Sequence, residues 1–221
     1  MRKKLIKKLI KKLRKEIIDI WLMIGVSFFS TAVQASSTAM LQLKHYENYP
    51  YKTQQLIEQA LHLSNQNLTY LYGSADPKKG GMDCSGTIYH LLKNSHIKDV
   101  PRQANDIYRW VWQKGHFVAV NSDQFSSFEF SKLKPGYLLF WSGTYNTTHT
   151  PPISHVMLYL GHDYHNHPIM FGSSYGRSYL GKPISGVGLY DFKLPSRNSK
   201  ARFLGYGCIP SFSCEKEKNT T

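Results

Sequence analysis

Acidic residues and cysteines are scarce in this chain of 221 residues. Fourteen Asp and Glu stand against 28 Lys and Arg, for a formal net charge of +14. A surface of that sign suits an anionic polymer through long-range steering. The polymer is not expected to be nucleic acid, because the chain lacks zinc-finger spacing, an RNP-like segment and, beyond its first residues, an arginine-rich stripe. Long apolar runs are also missing. The longest, from about Ile20 to Ala32, is short for a membrane-spanning helix. No internal repeat breaks the chain into smaller units.

What the N-terminal residues do contain is a basic stretch, Met1 to Lys15, then that apolar segment, then Val33-Gln34-Ala35. A charged start, a short apolar stretch and small residues before a cut describe a secretory signal. Residues 1–35 are therefore expected to be removed, with export from the cytoplasm. The alternative is an anchor formed by residues 17–32. No cysteine sits at the cut, so nothing suggests lipidation. Half of the net charge lies in residues 1–35. The remainder is long enough for one domain with a real core and short for two. The expected layout is a lead-in over 36–50, a domain over 51–212 and a polar tail over 213–221.

Of three cysteines, Cys208 and Cys214 lie close together and could close a small loop in an oxidising compartment. Cys84 is left unpaired. Glycines Gly80 and Gly81 lead into Asp83-Cys84-Ser85-Gly86, after which Ile88, Leu91 and Leu92 recur at helical spacing. Asp83 stands at the expected N-cap, so Cys84 falls in the first turn, where the helix dipole favours a thiolate. Most lone cysteines are small buried hydrophobes, but a buried thiol needs neither the glycines nor the acidic cap. Far along the chain, His155 opens an apolar run through Leu160 that ends at Gly161 and reads as a buried strand. A histidine at a rigid strand start is a candidate base for a distant thiol. His162, His165 and His167 could be imagined as metal ligands, but no cysteine or helical histidine pair supports a site. No metal and no cofactor is expected.

Helical spacing covers Thr53 to Leu63, and Ala104 to Gln113 suggests a further helix or a strand entry. Short apolar runs follow at Phe117–Val120, Tyr137–Trp141, Val156–Leu160, Ile169–Gly172, Gly186–Phe192 and Phe203–Ile209. The succession predicts an α+β fold with helices on an antiparallel sheet. Gly143 to Pro152 is expected to form a rim loop.

Five segments in order resemble the NlpC family of papain-like bacterial cell-wall peptidases. They are Thr69 to Ser74, Gly81 to Gly86, Val100 to Ala104, Leu133 to Trp141, and Ser154 to Gly161. The resemblance spans about Gln54 to Ile209 and implies a papain-like fold and a monomeric peptidoglycan endopeptidase of the bacterial periplasm or envelope. It also implies a substrate, the stem peptides, cut between D-glutamate and a diamino acid, with Cys84 as nucleophile and His155 as proton shuttle. Tyr70, Asp83 and Ser85 are expected to line the oxyanion and substrate region. No nucleic-acid partner is implied, and no membrane contact once the signal is removed. The alternatives are an amidase or toxin-like hydrolase on the same scaffold, or a wall-binding protein without turnover. Three positions depart from the family. Tyr137 replaces an acidic residue, Ser74 replaces a glycine, and the group that orients the base is not obvious. The family's interval from His155 points to His167. Allowing for an enlarged turn, Phe171 or Ser173 would stand there instead, and Ser173 is the second candidate.

Overall fold

The computed structural model describes residues 43–214. The expected signal or anchor, the first part of the lead-in and most of the polar tail lie outside the described residues. Among those described, no helix is long and apolar enough to cross a membrane.

Among the described residues three α-helices form, two of them where the apolar spacing predicts a helix. Helix α1 spans Tyr51–Ser64 and buries Leu56, Ile57, Ala60, Leu61 and Leu63. Helix α2 spans Cys84–Asn94 and buries Ile88, Leu91 and Leu92 together with its whole first turn. Helix α3, Ala104–Lys114, settles the choice left open between helix and strand, and buries Ile107, Trp110 and Val111.

Among the described residues, eight strands complete the fold. Strands β1 (Thr69–Tyr70) and β2 (Gly81–Met82) form a short parallel pair that sets Tyr70 beside Met82, two residues before Cys84. The remainder, β3 (Phe117–Ala119), β4 (Leu138–Ser142), β5 (Ile153–His162), β6 (Pro168–Tyr179), β7 (Lys182–Asp191) and β8 (Arg202–Gly207), form one sheet in the order β3-β8-β4-β5-β6-β7. Every neighbouring pair is antiparallel. This is the α+β arrangement of a papain-like fold.

Strands β4 and β5 are buried on both faces, which explains their nearly continuous apolar sequence. On one side Phe140 meets Tyr108 of α3, ring centroids 5.5 Å apart. On the other, Leu139, Trp141, Met157, Tyr159, Met170, Tyr190, Phe192, Phe203 and Tyr206 form a second apolar layer. Phe130, Leu133 and Tyr137 pack against it, so the tyrosine that replaces the family's acidic residue serves as core.

Strands β6 and β7 are longer than predicted. Tyr179 pairs with Lys182 across a two-residue turn at Leu180 and Gly181, both at positive φ, 50° and 75°. Two left-handed residues match the twist of a tight hairpin. Leucine is uncommon there, so the sequence carries little signal for it. Cys208 and Cys214 are joined by a disulfide, leaving Cys84 as the free cysteine among the described residues.

Candidate active site

The start of α2 is held by a dense set of polar contacts. Gly86 N–H donates to Asp83 Oδ1 at 2.6 Å, the expected N-cap. Gly73 N–H donates to Asp83 Oδ2 at 2.8 Å, and Asp83 N–H donates to Ser74 O at 3.0 Å. Arg102 grips the same carboxylate with both terminal nitrogens, at 3.1 and 2.8 Å, and donates to Ser85 Oγ at 2.9 Å. Bidentate guanidinium–carboxylate pairs combine strength with fixed geometry. A Cβ on Gly86 would fall 2.0 Å from Ser74 O, so only glycine allows this loop to sit on the helix. The three motif segments around Tyr70, Cys84 and Arg102 thus meet as one bonded unit.

Tyr70, Asp83, Cys84 and Ser85 line a cleft of about 450 Å³, joined by Tyr72, Arg102, Tyr145 and His149. The Asp83 carboxylate and Ser85 hydroxyl are committed to Arg102 and the helix start, so they shape the cleft as supports. Burial first, then the nearby Cys84 thiol, raises the Tyr70 hydroxyl above its ordinary range, and the same two causes raise that of Tyr145. Arg102, Tyr145 and His149 were not assigned roles from sequence. Arg102 had a signal in its proline–arginine segment, whereas the rim-loop residues had none.

The Cys84 sulfur rests against the β5 backbone on both sides of His155. Ser154 O lies 4.0 Å from Sγ, and the Val156 and Ser85 N–H groups bond toward the sulfur. The expected low thiol pKa is not what the environment produces. Burial, then the adjacent Asp83 carboxylate, push the thiol up to about 11 against those N–H groups and the Arg102 charge. Desolvation outweighs the helix dipole because the whole first turn is inside the protein. His155 is also buried, and burial followed by the Arg177 charge pull it down to about 3. The resting pair is therefore a neutral thiol and a neutral imidazole.

His167 is not brought to His155. It sits in the β5–β6 turn with its side chain 66% exposed and its Nδ1 3.3 Å from Asp163 Oδ2. His155 lies near the other end of β5, on the order of 20 Å away at the rise of an extended strand. Counting fails because the enlarged turn consumes the interval. Ser173 is buried, but its hydroxyl donates to Met82 O at 2.7 Å, tying β6 to the approach of Cys84. His155 Nε2 is buried without a hydrogen-bond partner.

A family model described as the NlpC/P60 family matches residues 67–178. No curated protein matches the chain. Among solved structures, one from Staphylococcus aureus, described as similar to a lipoprotein of the NLP/P60 family, matches at 21% identity with a TM-score of 0.47. The match covers 73% of this chain and 42% of that one, so the present chain spans less than half the length of that protein.

Proposed function

The chain belongs to the NlpC/P60 family, and from that premise we propose that it is an exported cysteine endopeptidase that cuts peptidoglycan stem peptides. Family membership supports a cell-wall peptidase-like function. The bond between D-glutamate and a diamino acid is the proposed target. The observation that carries the reading is the Cys84 sulfur against the β5 backbone at Ser154 and Val156, the two neighbours of His155, beside a cleft lined by the family's own motifs.

In the proposed reaction Cys84 Sγ attacks the carbonyl carbon while its proton passes to His155. General-base transfer suits a pair that rests neutral, since the proton moves only as the C–S bond forms. In this reading the Cys84 N–H and the Tyr70 hydroxyl receive the developing oxyanion, donors typically contributing a few kcal/mol each. His155 returns the proton to the leaving nitrogen as the C–N bond breaks, leaving a thioester. Water then attacks the thioester carbon and gives a proton to His155. The sulfur departs, takes that proton back, and releases the new carboxyl group.

A second reading is a wall-binding protein without turnover, favoured by the unpartnered Nε2 of His155. Incubating the protein with purified muropeptides and identifying products by mass spectrometry separates the two. Turnover by the wild type and none by Cys84→Ala is expected. Equal product from both would exclude the thiol mechanism, and binding without product from either would favour the second reading.

A further inference from the structure

His155 pairs with Trp141 across β4 and β5, and their ring centroids lie 5.8 Å apart at 61°. The guanidinium carbon of Arg177 lies 4.9 Å from the Trp141 centroid. Both Trp141 Nε1 and His155 Nε2 are buried without hydrogen-bond partners. Arg177 makes no ion pair among the described residues, so its charge is not spent on a carboxylate.

The backbone explains how an arginine reaches this place. The β6–β7 register shifts between Ser174 and Arg177, and Gly176 within the shift has φ of +80°. Such irregularities bend a strand and re-aim the next side chain. Without the shift, alternation along β6 would put residue 177 on the opposite face.

We propose that Arg177, acting through Trp141, is the positioning residue for His155, so that a guanidinium lying over an indole that meets the imidazole edge-on replaces the hydrogen-bonded third member. Stacking of a guanidinium on an indole is favourable, more so when desolvated. The indole, fully buried, then walls one side of the imidazole. The arrangement adds charge as well as shape. Burial is the larger reason that His155 resists protonation, and the nearby cation adds to it.

The groups around the ring are few. Trp141 packs against it from β4, Arg177 of β6 lies over Trp141, and Cys84 of α2 meets the neighbouring backbone at Ser154, with Asp83 and Arg102 paired beside Cys84. On β7, Tyr190 senses the Arg177 charge but donates its hydroxyl to Gly186 O and Ser174 O. Removing the Arg177 charge should therefore raise the His155 pKa, and no nearby carboxylate-free cation remains to oppose it.

This inference rests on the proposed role of His155, but its first test does not need turnover. In the Cys84→Ala protein, imidazole NMR should show His155 neutral across the acidic range in which the protein stays folded. With Arg177→Met added, the same resonance should titrate at least about one pH unit higher. Arg177→Lys keeps the charge, so the low pKa should persist. In the active protein, Arg177→Met should lower kcat roughly ten- to a hundredfold with KM little changed, and move the acid limb of the rate profile upward. Arg177→Lys should lower kcat without moving that limb. An unchanged His155 titration in folded Arg177→Met overturns the electrostatic role. An unchanged kcat in folded Arg177→Lys overturns the positioning role. Absence of wild-type muropeptide cleavage would sink the peptidase reading while the NMR titration still decides for or against Arg177.

Discussion

The two halves of the site are built by different means. The Cys84 side is fixed by hydrogen bonds, with Asp83 joining the helix start, the Gly73 loop and Arg102. The His155 side is fixed by packing, with a buried ring against Trp141 and no partner on Nε2. Hydrogen bonds set direction, whereas packing sets position and desolvates. Together they yield a thiol and an imidazole that are both held neutral, so the site meets substrate without a standing ion pair.

The largest expected effect breaks the packed half. His155→Ala should lower muropeptide turnover by at least about a thousandfold, since members of a catalytic pair act as a unit. Thiol reactivity sharpens the same point. The folded thiol titrates near 11, above its ordinary range, so at neutral pH less of it is thiolate than in a free thiol. Iodoacetamide modification of Cys84, mapped by mass, should therefore be slower than that of a cysteine peptide at pH 7 and climb through pH 10. A fast plateau at neutral pH would restore the ion pair and overturn the neutral description.

How far each half could be read in the sequence follows from the same contrast. The hydrogen-bonded half was largely legible because its groups lie in short contiguous motifs. Asp83 as N-cap and Cys84 in the first turn follow from spacing alone, and the helices and core strands appear where apolar periodicity placed them. The thiol's pKa was misjudged because burial depends on the loop around Gly73 and on β5, which spacing does not report. The packed half was poorly legible. Trp141 reads as one more apolar strand residue, and Arg177 reaches it through a strand irregularity that has no sequence signature beyond Gly176. His167 was the natural choice by interval, and the turn defeats it.

A smaller effect is expected when the bonded half is weakened. Arg102→Met removes both guanidinium bonds to Asp83 while Gly73 and Gly86 still hold the carboxylate. Breaking a buried pair costs about 3–5 kcal/mol, and the third of Arg102 that is exposed reduces this to about 1–3 kcal/mol. Urea unfolding measures that loss. Turnover should fall by roughly tenfold as the helix start loosens. Unchanged stability and turnover would mean that the Asp83 network does not hold the nucleophile.

The smallest effect is expected at His167, and it separates position in the chain from position in space. Its ring meets Asp163 and the neighbouring His165 ring, in a turn, with two thirds of the side chain in solvent. Its backbone N–H also bonds Asp163 Oδ1, at 2.7 Å, and that bond survives replacement of the side chain. Exposed ion pairs contribute at most about 1 kcal/mol, so His167→Ala should change stability by less than that. Muropeptide turnover should stay within about twofold of wild type, because the His167 side chain and the His155 ring stand at opposite ends of β5 and share no partner. A loss of tenfold or more, with the protein folded, would show that the turn reaches the base after all. Turnover at the wild-type level, beside a clear loss in Arg177→Lys, would place the orientation of His155 in the packed indole and guanidinium.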